Sequence, residues 1–479
     1  MKLYDLLKDT GMKAVAMDED REITSITCDS RRVEPGCLFV CIVGTAVDGH
    51  RFAAAAEEAG AAAIVTQRDM GLRTQLVTDN TRRAWAQICA NWFGNPAQRL
   101  HLIGVTGTNG KTTTTSLIKS MLEYDGHKVG LIGTIQNMVG ARALPAERTT
   151  PDPYDLQSLL ALMVMEGCDY CVMEVSSHAL DQQRVEGCFC EIGIFTNLTQ
   201  DHLDYHHTME NYLAAKKRLF HMCRVGIVNR DDPSAAEMMR EVPCEVCSFS
   251  VDDDQADYVA RNVRHRADGV DFELLGVGQI GRVRMRIPGR FSVYNGLAAA
   301  TACLKAGMAF DRVVEALSAA EGVKGRAEVV PTGRDFTVVI DYAHTPDGLE
   351  NICRTLKECG TGRLVTLFGC GGDRDKTKRP IMGRIAAQLS DFVIVTSDNP
   401  RSEQPDAIIA DILQGLTDTK TPYTVETNRV QAIRWAIANA QPGDTLLLAG
   451  KGHETYQLVG DEVLHLDERE VVAEALQTL

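Results

Sequence analysis

The sequence predicts a three-domain α/β protein organised around parallel sheets. Three observations carry this expectation. The chain has 479 residues, about three times a domain of roughly 150. From residue 98 to residue 327 short apolar runs alternate with helical patterns, and a second series of the same kind starts at TVVIDYAH. The first series also contains GVTGTNGKTTTT (Gly104–Thr115), a run of glycines, a lysine and hydroxyls where a strand would hand over to a helix. Alternation of this kind argues for parallel sheets covered on both faces.

Residues 1–97 read as an N-terminal domain. EITSITCDS and CLFVCIVG have strand character, RFAAAAEEAG is helical, and AAIVT is a strand again. TRRAWAQICANWFGNPAQ reads as a helix closed by Gly94 and Pro96. The central domain, 98–327, offers the strands HLIGVT, KVGLIG, YCVMEV, IGIFTN and VGIVN. The C-terminal domain, 328–479, offers TVVIDYAH, RLVTLFG, FVIVTSDN and TLLLAGKG, each followed by a helical pattern.

Hydrophobic residues make up 44% and charged residues 24%, ordinary for a soluble globular protein. The net charge of −15 argues against nonspecific nucleic-acid binding, so a small anionic substrate would need a local basic pocket. No run approaches the roughly 18 apolar residues that span a membrane. The N-terminal stretch lacks a signal-peptide core, so a cytosolic monomer without membrane insertion is expected. The 15 cysteines are scattered through apolar segments and read as buried thiols. The pairs Cys168/Cys171 and Cys244/Cys247 have zinc-ligand spacing, but the first opens a run that looks like a buried strand, which argues against zinc.

Gly110-Lys111-Thr112 fits the end of the phosphate-loop pattern G-x-x-x-x-G-K-[ST]. Val105 stands at its first glycine position, flanked by Gly104 and Gly107. The chemistry still works. Backbone N–H groups around Gly107–Gly110 can surround phosphate oxygens, and the following helix adds its positive end. Lys111 would neutralise the β/γ-phosphates of ATP, and Thr112 would ligate Mg²⁺.

TGTNGKTTT, MEVSSHAL, TNLTQDHLDYH, YLAAKKRLF, GRFSVYN, GRAEVV, DYAHTPD, GDRDKTKRP, SDNPRSE and GKGHE follow one another along the chain. In this order they resemble the Mur ligases, ATP-dependent amide-forming enzymes of peptidoglycan precursor synthesis. The resemblance runs from residue 28 to residue 454. It implies a central phosphate-loop ATPase domain and a Rossmann-like C-terminal domain. It also implies addition of meso-diaminopimelate to UDP-N-acetylmuramoyl-L-alanyl-D-glutamate through an acyl phosphate. A lysine-adding member is the alternative. A folylpolyglutamate synthase-like ligase would lack the N-terminal region, and a nucleotide-switched binding protein would lack an acceptor.

The resemblance implies roles for particular residues. Gly107, Thr108, Asn109, Gly110, Lys111, Thr112, Thr113, Asn197, Asn295, Asp341 and His344 match nucleotide contacts. Lys111, Glu174, His202, Lys216 and Arg326 match the catalytic set, and Thr112, Glu174, His202 and Lys216 the metal site. Lys216 would serve there as a carbamate made with CO₂, because an ammonium repels a cation. Lys217, the adjacent alternative, would project about 100° away around the helix. His206 and His207 read as polar surface. Cys28, Ser30, Thr45, Ala46, Val47, Thr149, Thr150, Ser176, Gln182 and Arg184 match contacts to the UDP-sugar peptide. Thr45-Ala46-Val47 departs from the His-Gln-Ala common in the family, which points to backbone contacts. Arg374, Asp398, Asn399, Pro400, Arg401, Gly450 and Glu454 match the diaminopimelate site. Arg401 makes chemical sense, since a guanidinium can grip the second carboxylate of that substrate with two parallel bonds.

Overall fold

The computed structural model describes residues 1–14, 21–44, 47–266, 269–276, 278–360 and 362–478. It contains three large sheets in chain order. The first has five short strands, in the order Lys13–Ala14, Gln75–Val77, Ala63–Thr66, Leu38–Val40, Ile26–Thr27, antiparallel only at the first pairing. Helix Thr81–Trp92 packs against it through Ala84, Trp85 and Ile88. Gly94 (φ +75°) and Asn95 (φ +53°) then turn the chain out of that helix.

The central sheet has eleven strands, with His101–Thr106 between Cys190–Phe195 and Tyr170–Glu174. The alternation in sequence produces what it should here. Ile103 and Val105 enter the core on one face, Leu102 the core on the other, and the continuous apolar run is buried on both sides. The sheet is not wholly parallel, however. A three-stranded edge hairpin of Tyr258–Arg266, Gly269–Gly276 and Gln279–Met285 joins one edge through a parallel pairing with Glu245–Ser250 and is antiparallel within itself, and Asn137–Val139 with Arg142–Leu144 extends the other edge by antiparallel pairings. Cys168 and Cys171 lie in one core layer, against which Cys244 also packs, and Cys247 lies in the opposite one, so the four thiols do not share one layer.

The third sheet runs Glu328–Val330, Thr337–Asp341, Thr445–Ala449, Leu364–Phe368, Phe392–Val395, Tyr423–Val425, parallel except at its first pairing. The carboxyl ends of its strands carry the loops at Asp341, Asp398 and Gly450. Ligands bind at this edge in open α/β sheets. No helix among the described residues is long and apolar enough to cross a membrane.

Candidate active site

Strand His101–Thr106 feeds the loop 107–110, and helix Lys111–Tyr124 leaves it. Gly107 (φ +147°) and Gly110 (φ +86°) adopt backbone shapes that side chains resist, and a Cβ at either would collide, with Thr196 Oγ1 and Asn295 Oδ1 respectively. Asn197 braces the loop. Its Oδ1 accepts from Asn109 N at 2.9 Å, its Nδ2 donates to Asn109 O at 3.1 Å, and its carbonyl accepts from Thr108 N at 2.9 Å. Asn197 and Asn295, expected at the nucleotide, thus also fix the loop's shape. Lys111 Nζ folds back onto the carbonyls of Gly107 (2.9 Å) and Thr108 (2.8 Å).

A cleft of about 460 Å³ opens beside this loop, lined by Gly110, Thr113 and Asn295 on one wall and by Asp341, His344 and Asp347 on the other. Asp341 accepts from Ala327 N (2.6 Å) and Ala343 N (2.8 Å), which positions the segment carrying Arg326. Arg326 donates to Thr112 Oγ1 at 3.3 Å and lies 4.8 Å over the Tyr342 ring, while its Nε is buried without a hydrogen-bond partner. Asp347 crosses between the two sheets, accepting from Asn109 Nδ2 at 2.7 Å and Thr199 Oγ1 at 3.3 Å.

Glu174, the last residue of strand Tyr170–Glu174, is buried. Its two oxygens accept from Thr134 N and Thr134 Oγ1, both at 2.9 Å. Lys216, on helix Met209–Lys217, is 1% exposed, and its Nζ sits 4.3 Å from the centre of the Tyr212 ring. Burial first, then the charge of Lys111, holds its ammonium well below the ordinary lysine range. Lys217 points away and pairs with Glu237 at 3.2 Å. His202 takes a left-handed backbone (φ +54°), and its ring packs 4.8 Å from that of His178. Burial pushes His202 down to about 4, against the pull of Asp201. His206 corrects the reading as polar surface: it is 5% exposed and bonded to Ser177 Oγ at 2.9 Å, because helix Leu203–His206 turns it inward. His207 is exposed. Among the described residues no three His, Cys, Asp or Glu side chains cluster as a metal set.

The residues expected at the UDP-sugar peptide fall into two groups. Thr150 Oγ1 donates to Glu174 O at 2.8 Å and accepts from Ser176 N at 3.0 Å. Arg184 donates to Gln182 Oε1 (2.6 Å) and Thr150 O (3.2 Å), and the hydroxyls of Thr149 and Thr134 are 3.1 Å apart. This group therefore adjoins Glu174. In the N-terminal domain, Cys28 and Val47 are exposed, and Ser30 opens a turn capped by Asp29. Thr45 and Ala46 lie outside the described residues.

Beyond Tyr342, Asp398–Arg401 packs against the turn that carries Gly450 and Glu454. Asn399 Nδ2 donates to Glu454 Oε2 at 2.9 Å. The fully buried Lys451 bridges Asn399 Oδ1 (3.0 Å) and Glu454 Oε2 (2.8 Å). A Cβ on Gly450 (φ +112°) would press on Asp398 Oδ2. Arg401, at φ +52°, donates to Gly372 O at 2.8 Å, and Arg374 is exposed beside it, donating to Asp373 O at 2.9 Å. Pro400 closes the wall, its carbonyl against Gly372. Behind the wall, Arg379 (1% exposed) binds Glu403 and Asp411, and Glu403 accepts from Asp373 N at 2.7 Å. Thr134, Tyr212, Asp347, Arg379 and Lys451 were not singled out from the sequence. Lys451 sits inside GKGHE and Asp347 inside DYAHTPD, so the motifs marked the place without the role.

Three family models match the chain: "Mur ligase family, catalytic domain" over residues 22–89, "Mur ligase middle domain" over 105–303, and "Mur ligase, glutamate ligase domain" over 325–452. The chain is 48% identical to a UDP-N-acetylmuramoyl-L-alanyl-D-glutamate–2,6-diaminopimelate ligase of Caldanaerobacter subterraneus subsp. tengcongensis, covering 99% of both chains. It is 47% identical to a protein of the same name from Syntrophomonas wolfei subsp. wolfei, covering 100% of this chain and 99% of the relative. A solved structure of a ligase of that name superposes with a TM-score of 0.73 at 32% identity, over 97% of each chain. The chain belongs to the Mur ligase family.

Proposed function

We propose that the chain joins meso-diaminopimelate to UDP-N-acetylmuramoyl-L-alanyl-D-glutamate, consuming ATP and releasing ADP and phosphate. One observation carries the reading. The phosphate cleft and the Arg401 pocket meet through a short chain of contacts, in which Arg326 lies 4.8 Å over Tyr342 and the Tyr342 hydroxyl is 3.5 Å from Glu454 Oε1. A phosphoryl group held by Arg326 and an amine held at Glu454 are therefore neighbours.

The roles follow from the geometry. The N–H groups of loop 107–110 and Lys111 hold the triphosphate, with Lys111 leaving its loop carbonyls to do so. Arg326 neutralises the γ-phosphoryl as it passes to the peptide carboxylate. Arg184, with Thr150 and Ser176, orients that peptide next to Glu174. Arg401 and Arg374 bind the far carboxylate of the amino acid, and Glu454 and Asn399 its near end.

Mg²⁺ fits the donors present. Thr112 and Glu174 would supply oxygen ligands, and Mg²⁺ takes few protein ligands when phosphates complete its shell. When bound, the ion offsets charge on the phosphate oxygens. Lys216 fits only as a carbamate, and the burial that favours its neutral amine makes that amine available to CO₂. His202 would be the remaining ligand. On this reading the reaction belongs to cytoplasmic peptidoglycan precursor synthesis and the chain acts as a monomer. The three separate sheets support domain limits near residues 97 and 327.

The test is an ATP-dependent ligation offering L-lysine and meso-diaminopimelate together. ADP release should require both the UDP-sugar dipeptide and diaminopimelate, with lysine at least about tenfold poorer, as one lost charged hydrogen bond implies. Equal use of the two amino acids would contradict the assignment of Arg401.

A further inference from the structure

We propose that His453 accepts the proton that the attacking amine must lose, an inference that rests on the ligase reading above. The residue stands at the seam between the two half-sites. Its backbone packs so closely on Gly325 (φ +72°), the residue before Arg326, that a Cβ there would collide with His453 N. Its ring lies 4.8 Å from the Tyr342 ring, on which Arg326 also rests, and the next residue is Glu454. Arg469 holds the turn in place by donating to Gly452 O at 3.1 Å. Within this setting His453 Nδ1 is buried and has no hydrogen-bond partner among the described residues. An unpaired buried nitrogen is costly, and a substrate proton would satisfy it.

The surroundings keep the ring neutral until it is needed. Arg326 and Lys324 face it from the segment entering the C-terminal domain, Arg469 from helix Glu468–Gln477, and Tyr342 and His344 from the loop after strand Thr337–Asp341. Burial first, then Arg326, Arg469 and Lys324, pushes the imidazole down to about 4. The negative charge of a bound nucleotide or acyl phosphate offsets those cations and raises the basicity of the ring where the amine arrives.

The step balances as follows. The amino acid arrives as an ammonium and gives one proton to the imidazole of His453. The nitrogen lone pair so freed forms the C–N bond at the acyl-phosphate carbonyl, and the carbonyl electrons move onto oxygen. The oxyanion re-forms the carbonyl, the C–O bond to phosphate breaks, and phosphate leaves with that electron pair and takes the second N–H proton. The imidazolium then returns its proton to solvent.

His453→Gln separates the steps. Acyl phosphate made from ATP, Mg²⁺ and the dipeptide without amine is trapped with borohydride, and turnover is measured with meso-diaminopimelate and with hydroxylamine, which is unprotonated at neutral pH. Trapping should match that of the unaltered protein, turnover with diaminopimelate should fall on the order of 10²-fold, and turnover with hydroxylamine should hardly change. Full turnover with diaminopimelate, an equal fall with both acceptors, or loss of trapping in the variant alone overturns the role of His453. No trapped acyl phosphate in the unaltered protein overturns the ligase reading itself.

Discussion

In the phosphate cleft, Lys111, Lys216 and Arg326 have no carboxylate partner among the described residues. In the amine pocket, Lys451 is held by Glu454, and Arg379 by Glu403 and Asp411; only Arg401 and Arg374 are left to backbone carbonyls. The difference matches the proposed ligands. A triphosphate brings several negative charges and can satisfy Lys111 and Arg326, while Lys216, whose neutral amine burial favours, is left for the carbamate. Diaminopimelate carries two ammonium and two carboxylate groups, so its pocket should be nearly neutral, with free guanidinium only where the far carboxylate docks. Cations paired inside the protein build the wall; cations left unpaired wait for substrate.

The largest effect that would break this comparison concerns Lys216. Lys216→Ala should lower kcat at least about 10³-fold, roughly 4 kcal/mol of barrier, with stability little changed. Short carboxylic acids should restore part of the rate by supplying the missing oxygen donor. Near-normal turnover would show that the buried amine has no part in the chemistry. Next in size is a paired cation. Arg429 and Glu468 are fully buried against each other at 2.8 Å, and Arg429 also donates to Ala449 O, just before Gly450. Burial raises the Glu468 carboxyl above its usual range, against the pull of Arg429. Glu468→Leu leaves a buried guanidinium unpaired and should cost about 3–5 kcal/mol in denaturant unfolding, while adding Arg429→Met should recover most of it. A loss below about 1 kcal/mol in the single variant would mean the pair is not a structural anchor.

The two regions were also unequally legible in sequence. The phosphate loop is local: a strand, two glycines, Lys111 and a helix are contiguous, so its geometry is written in a dozen residues. DNPR is likewise contiguous. What holds each in place is not. Glu174 is fixed by Thr134, 40 residues earlier, and Asn109 by Asn197 and Asp347. The edge hairpin escaped notice because YVARNVRHR buries its first residues and then exposes alternate charged ones, which masks the strand. His206 misled for the opposite reason, since a polar run around it hides a side chain that turns inward.

Arg401 tests the substrate-facing side of the pocket. Arg401→Ala should raise the KM for diaminopimelate about 10- to 100-fold, the value of one or two charged hydrogen bonds, and leave the KM for ATP within about twofold. Equal losses for both would mean the residue supports the fold of the 371–374 loop, which its bond to Gly372 O also touches.

The smallest predicted effect lies where the two regions meet. Asp347 belongs to the helix Pro346–Cys359, yet its carboxylate bonds Asn109 in the phosphate loop and Thr199 beyond it. Burial raises its carboxyl above the usual range, while Thr199 and Asn109 oppose the shift by bonding the charged form. The contact is therefore a modest tether that favours a closed cleft, and it fixes Asn109 from the side opposite Asn197. Asp347→Ala should raise the KM for ATP about three- to tenfold, in line with about 1 kcal/mol for a partly exposed pair of hydrogen bonds, and leave the KM for diaminopimelate unchanged. A rise in the KM for diaminopimelate instead would show that the tether serves the amine pocket, and the division between a cleft that awaits charge and a pocket that has already balanced it would have to be redrawn at this residue.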